Sequence, residues 1–213
     1  MQVEIWSDIA CPWCWLGKRR FARALEQFEH ADAVAVTWRS FQLAPDAPAS
    51  EDRPHPELLA AKFGTSREQV AAMHARMTAD GAREGISYAF DRVRMENSFD
   101  AHRLIHLART YDRAPEMVDR LFAAYFSNGE SVGDRGTLVR IATELGIDAA
   151  ATRDMLESDA FADAVHADQA RAREFGITGV PFFAIDEKYG ISGAQPAESI
   201  LAALRQAWDE RAA

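Results

Sequence analysis

Apolar and polar positions change their spacing twice along this chain. Residues 3–7 alternate around Ile5 and predict a short strand. Residues 13–28 instead place Leu16, Phe21, Ala24, Leu25 and Phe28 at helical spacing, with Pro12 suited to the first turn. Residues 34–43 are β-branched and aromatic and predict a second strand, ended by Pro45 and Pro48. From about residue 54 to 175 the pattern reads as almost all helix. Thr65 and Glu68 form a capping box before Val70, Met73 and Met77. Ser98 caps a helix carrying Ala101, Leu104, Ile105 and Ala108, and Pro115 opens one with Val118, Leu121, Phe122 and Tyr125 inward. Asp134 or Thr137 starts a helix that stops at Gly146, Asp148 and Ser158 cap two more, and Gly176 ends the last. Strand spacing returns at 180–186 and 189–192, joined through Glu187-Lys188. Pro196 then opens a final helix with Ile200, Leu201, Leu204 and Trp208 inward. The order is β-α-β, a helical insertion, then β-β-α. It predicts an α/β domain formed by 1–50 and 176–213, interrupted by a helical domain over 51–175. The polar, proline-rich stretch 46–56 is the entry to the insertion.

Composition narrows the function. A chain of 213 residues, 48% of them hydrophobic, can build a sizeable core, and its formal net charge of −9 lacks the basic footprint of nucleic-acid or membrane-surface binders. No apolar run reaches membrane-spanning length. The N-terminus enters Met1-Gln2-Val3-Glu4-Ile5-Trp6 directly, without the basic and apolar regions of a signal peptide, so a soluble cytoplasmic protein is expected. The insertion's apolar faces serve a core or a dimer equally, which leaves the oligomeric state open.

The two cysteines, Cys11 and Cys14, are the only ones in the chain and share the tetrapeptide Cys11-Pro12-Trp13-Cys14. Two cysteines make no disulfide scaffold, and zinc calls for four ligands that no second pair supplies, so no metal is expected. At a strand-to-helix junction, Cys11 sits at a helix N-terminus with its thiol expected to be exposed. The unpaired N–H groups and positive dipole end there favour a thiolate. Cys14, about one turn on, is expected to be less exposed. Cys11 is therefore the attacking thiol and Cys14 the resolving one. Two incidental buried thiols are the competing reading, disfavoured by their adjacency at this junction. Pro12 fixes the backbone between them. Trp13 serves equally as an apolar substrate platform or as packing, Trp15 belongs to the core, and Lys18, Arg19 and Arg20 read as solvated helix surface.

Strand, C-x-x-C at a helix start, strand, and a later Val-Pro pair opening a hairpin resemble the thioredoxin fold. Gly179-Val180-Pro181-Phe182-Phe183 matches the later element. The resemblance implies that Pro181 is cis and lies beside the cysteines, with the Val180 backbone exposed for strand-like pairing to a substrate. The long helical insertion resembles the DsbA-type family. Asp8-Ile9-Ala10-Cys11-Pro12-Trp13-Cys14-Trp15-Leu16-Gly17, Asn97-Ser98-Phe99-Asp100-Ala101-His102-Arg103-Leu104 and Gly193-Ala194-Gln195-Pro196 are similar to its FrnE-like branch. This implies thiol–disulfide oxidoreductase or isomerase activity on protein substrates, no bound cofactor, and glutathione as a candidate reductant held around Val180 and 193–195. Periplasmic DsbA enzymes carry a leader and a histidine in the spacer. This chain has neither, so a strongly oxidising periplasmic role is not expected.

Other residues point less sharply. His102 and His106 share a helical face but lack a third metal ligand. His102 and Arg103 are expected to line the cleft without a catalytic step. Asp8 serves either as a proton relay to Cys14 or as a turn-closing cap, and Met73 and Met77 are core. Two alternative functions compete. One is a glutathione-dependent transferase or isomerase of the kappa and hydroxychromene-carboxylate isomerase type, which usually carries serine at the first cysteine position and lacks the second. The other is a holdase chaperone that would not need the cysteines.

Overall fold

The computed structural model describes residues 1–48 and 53–211. Its mixed α/β architecture matches the expected thioredoxin-like frame with a helical insertion. Two compact units form, Met1–Leu43 with His166–Ala213, and Ala44–Val165. The return to the first unit comes at His166 rather than near residue 176. The C-terminal part of a long helix, Ala162–Glu174, supplies side chains to the sheet.

In the first unit β1 (Gln2–Ser7), α1 (Pro12–Glu26) and β2 (Ala35–Ser40) form the β-α-β half. β3 (Phe182–Ile185), β4 (Tyr189–Ser192) and the C-terminal helix Ala197–Asp209 form the other. The sheet order is β2-β1-β3-β4, with β1 and β2 parallel and the remaining pairs antiparallel. The β3–β4 turn centres on Asp186 and Glu187, one residue earlier than expected. Both have positive φ (48° and 59°), and Lys188 N–H closes the turn onto the Ile185 carbonyl at 3.0 Å. Side chains alternate across β1. On one face Trp6 packs with Ala172, Ile177 and Ala184, its Nε1 donating to the Asp168 carbonyl at 3.0 Å. Glu4, on the same face, is buried with Arg39 and Arg171 (both 2.6 Å). Burial pushes its carboxyl up, and hydrogen bonds from Arg171 and Arg39 more than offset this and hold it below the usual range. On the opposite face Phe21 of α1 stacks on Phe183 (5.6 Å).

The second unit contains α2 (His55–Phe63), α3 (Arg67–Arg83), α4 (Phe99–Arg109), α5 (Ala114–Ala123), α6 (Arg135–Glu144) and α7 (Ala149–Glu157), and the first residues of α8 (Ala162–Glu174). The C-terminal helix is α9. Four expectations are corrected. Residues 86–98 are not helical: Tyr88, Phe90 and Val93 are buried along an irregular stretch that turns at 89–92, and Ala89 N–H donates to the Phe126 carbonyl at 2.7 Å. The capping box is Ser66 with Gln69, one residue later than Thr65 with Glu68. Thr65 N–H is already used to close α2 onto the Ala60 carbonyl behind Gly64 (φ 60°). Ser98 makes no side-chain cap; Asn97 Oδ1 accepts Phe99 N–H at 2.9 Å instead. Ser158 ends α7, its hydroxyl donating to the Asp154 carbonyl at 2.7 Å, rather than starting α8. The expected 46–56 connector falls partly on residues 49–52, which lie outside the described residues. Among the described residues no helix is long and apolar enough to cross a membrane.

A column of rings gives this unit a defined acid response. His55 stacks on His74 (5.6 Å) and His74 on Phe90 (4.1 Å), and His55 Nδ1 and His74 Nε2 are buried without hydrogen-bond partners among the described residues. Burial, with the neighbouring His74, lowers His55 from 6.5 to about 4. The unfolded chain therefore takes up this proton first. Stability is full above the unfolded value and falls as pH drops from about 6.5 to about 4, by roughly 3 kcal/mol for one such group. In urea unfolding across this range, His55→Gln is expected to flatten the slope. An unchanged slope would place the acid sensitivity elsewhere.

Candidate active site

The two cysteines sit where β1 hands over to α1. Cys11 N–H donates to the Asp8 carbonyl (3.0 Å), closing the turn that ends the strand. Cys11 is the N-cap residue, with extended backbone (φ −104°, ψ 112°), and Pro12 occupies the first turn, where a missing N–H is tolerated. Cys14 N–H then donates to the Cys11 carbonyl at 3.0 Å. Asp8 is a clamp at this junction. Its Oδ1 accepts Ala10 N–H (3.2 Å) and its Oδ2 accepts Leu43 N–H (2.7 Å). That is the turn-closing alternative, with both carboxylate oxygens engaged.

Both cysteines carry free thiols. Cys11 is only 4% exposed, against the expectation of an exposed thiol. Its Sγ turns inward and donates to the Val180 carbonyl at 3.6 Å. Cys14 is 1% exposed. Burial pushes its thiol well above the ordinary value and the Cys11 side chain pushes it further; the Asp8 backbone and the Ser7 hydroxyl act in the opposite direction. The sites are thus unequal: one sulfur at a helix N-terminus, one sealed beneath it.

The Val180–Pro181 bond is cis, as the resemblance implied, and the Val180 carbonyl faces Cys11. The loop behind is anchored. Gly193 N–H donates to the Pro181 carbonyl (2.8 Å), and Arg20 Nη1 donates to the Ala194 carbonyl (2.6 Å). Arg20 is therefore not simply solvated helix surface, and neither is Lys18, whose Nζ lies 5.3 Å from the Trp38 ring centroid. Trp13 is 41% exposed beside Cys11, whereas Trp15 is buried, as expected.

Gly17 explains how Pro181 comes so near α1. A Cβ on Gly17 would lie 2.8 Å from Pro181 Cγ and 3.4 Å from Phe183 Cζ. Gly17→Ala is expected to destabilise the fold by about 1–3 kcal/mol, as overpacking does, and to displace Pro181 from the cysteines. Urea unfolding measures it; a loss below about 0.5 kcal/mol would contradict this tight contact. Sequence reasoning gave Gly17 no role. The signal was the shared helical face of Cys14, Gly17 and Phe21, at spacings of three and four.

The insertion motif has a different job. Arg103 is 4% exposed within the second unit. Its guanidinium donates to the carbonyls of Met155, Ser158 and Ala160 and pairs with Asp100 (2.7 Å). Asn97 Nδ2 donates to the Pro45 and Ala47 carbonyls, both at 2.9 Å. His102 and His106 are buried, with His106 stacked on Phe161. Arg103 and Asn97 thus tie backbone together, correcting the expectation of a cleft-lining role for Arg103. Among the described residues no group of three or more His, Cys, Asp or Glu gathers as a metal site.

Residues 2–205 match the model of the DSBA-like thioredoxin domain. A crystal structure described as a probable DsbA oxidoreductase from Streptomyces coelicolor is 45% identical with a TM-score of 0.95, covering 99% of this chain and 91% of that one. A 2-hydroxychromene-2-carboxylate isomerase shares the fold at 15% identity and a TM-score of 0.74, covering 100% and 98%. The cytosolic disulfide reductase DsbM from Pseudomonas aeruginosa, in a structure with GSH, does so at 16% identity and a TM-score of 0.67, covering 97% and 98%.

Proposed function

We propose, from the premise that this chain belongs to the DSBA-like thioredoxin domain family, that it exchanges thiols and disulfides on protein or peptide substrates through Cys11 and Cys14. The observation that carries this reading is the inequality of the two sulfurs. Both are buried, but Cys11 sits at the N-cap position of α1 and faces the Val180 carbonyl, while the Cys14 thiol is raised by its burial and by Cys11. Exchange needs one sulfur to attack and a second, held back as a protonated thiol, to resolve.

In the reductive direction the Cys11 thiolate attacks one sulfur of a substrate disulfide, joining Cys11 to that sulfur and releasing the other as a thiolate. Cys14 gives up its proton and attacks Cys11 Sγ. The mixed disulfide breaks, the substrate leaves reduced, and the protein holds a Cys11–Cys14 disulfide. Reduction by two thiols returns it to the starting state, and glutathione suits this role by chemistry. The Val180 backbone and the exposed Trp13 offer an extended substrate its first contacts, and Pro12 and Pro181 shape the surface around Cys11. A reducing compartment such as the cytoplasm suits a chain whose only two cysteines are this pair.

Equilibration with mixtures of reduced and oxidised glutathione tests the proposal. Intact mass is expected to show one two-electron transition, with loss of two hydrogens, that vanishes in Cys14→Ser. A protein that never forms the internal disulfide across the whole glutathione range would rule the mechanism out.

A further inference from the structure

We propose that Ser7 takes part in the exchange: its hydroxyl donates the hydrogen bond that stabilises the Cys14 sulfur whenever that sulfur is negatively charged. The inference rests on the oxidoreductase reading above and assigns a further residue to that site.

Strand geometry places the hydroxyl. Side chains at 3, 5 and 7 of β1 share one face. Ile5 pairs with Phe183, and Phe183 stacks on Phe21 of α1, so this face meets α1. Cys14, Gly17 and Phe21 lie along the same side of that helix, and Gly17 abuts Pro181 and Phe183. Ser7 is the last residue of β1, on this same face, and Cys14 lies in the first turn of α1, its thiol under the influence of the Ser7 hydroxyl.

The hydroxyl has no other use in the structure. Ser7 is 5% exposed, and its Oγ is buried without a hydrogen-bond partner among the described residues. Buried polar atoms are nearly always paired, and leaving one unpaired is destabilising. A neutral thiol is a weak acceptor, whereas a thiolate is a strong one. The missing bond is thus one that forms when Cys14 ionises. The titratable group facing Cys14 is Cys11, at the N-cap of α1; β1 contributes the Ser7 hydroxyl, and the turn after it the Asp8 backbone. The Asp8 carboxylate is held by the Ala10 and Leu43 N–H groups.

The bond acts at two points of one cycle. During resolution, Cys14 loses its proton to solvent and attacks Cys11 Sγ; the Cys11–Cys14 bond forms as the Cys11–substrate bond breaks, and the substrate thiolate departs. In the reverse step a thiolate attacks Cys11 Sγ and Cys14 leaves as the thiolate. In both steps Ser7 O–H stabilises negative charge on Cys14.

A bis(nitrobenzoate) disulfide separates the steps. It releases one coloured thiolate when Cys11 attacks and a second, independent of reagent concentration, when Cys14 resolves. In stopped-flow measurements across pH, Ser7→Ala is expected to leave the first phase unchanged. Its second phase should slow about tenfold at pH 7, the scale of one charge-assisted hydrogen bond. The midpoint of that phase should rise by about one pH unit while the alkaline plateau persists, and Ser7→Thr should restore the midpoint. An unmoved midpoint in Ser7→Ala, or equal slowing at every pH, would overturn the role of Ser7. A wild-type protein that releases no second thiolate would overturn the oxidoreductase reading itself.

Discussion

Cys11→Ser is expected to reduce insulin disulfides at the uncatalysed background, about a thousandfold or more below the wild type. A serine hydroxyl in the same place cannot form the mixed disulfide, and it is a far weaker nucleophile than a thiolate. The fold should be unaffected, because oxygen replaces sulfur at an N-cap position where serine is favoured. Turbidity of reduced insulin with glutathione as reductant reads the effect. The same assay separates the competing functions. A holdase would suppress insulin aggregation equally in a Cys11→Ser, Cys14→Ser double variant. Retained reduction in Cys11→Ser would refute Cys11 as the attacking sulfur.

Arg103→Ala is expected to cause the largest loss of stability, about 3–5 kcal/mol, because it removes a buried charge that holds several partners. Met155, Ser158 and Ala160 would each lose a guanidinium N–H from their carbonyl, and Asp100 its buried guanidinium partner. For a protein of this size that corresponds to a fall in Tm of about 10 °C. Arg103→Lys should recover little, since one ammonium cannot reproduce the planar fork. Arg113→Ala is the control. Its pair with Glu116 (3.4 Å) is exposed, and its loss should stay within about 0.5 kcal/mol. Calorimetry or urea unfolding compares the three; an Arg103→Ala loss below about 1 kcal/mol would contradict the burial and bonding described.

Local chemistry made part of this legible in the sequence. Period-two spacing around Ile5 marked β1, the Tyr189-Gly190-Ile191-Ser192 stretch marked β4, and the cysteines' place between strand and helix marked the candidate site. Contacts between distant segments were not legible. Cys11 looked exposed because a helix N-terminus usually is, and only the Val180 carbonyl, 169 positions away, turns its sulfur inward. Arg20 looked like surface until the Ala194 carbonyl met it. Residues 86–98 read as helix because nothing local reveals that the Ala89 N–H pairs with the Phe126 carbonyl or that Tyr88 and Phe90 pack edge-on with the Phe126 ring. The Ser66–Gln69 box was hidden by a second, equally good reading one residue earlier, and only the closure of α2 decides between them. Ser7 carried no motif. Its interest comes from being polar, buried and unpaired, which a sequence does not display.

The central claim is a division of labour, in which Cys11 takes the substrate and Cys14 releases it. Incubating Cys14→Ser with oxidised glutathione and mapping the product by peptide mass spectrometry tests this directly. The account predicts one persistent glutathione adduct on Cys11 in Cys14→Ser, and in Cys11→Ser a much slower adduct on the buried Cys14. Equal or faster modification of Cys14 in Cys11→Ser, or no adduct on Cys11 in Cys14→Ser, would contradict it.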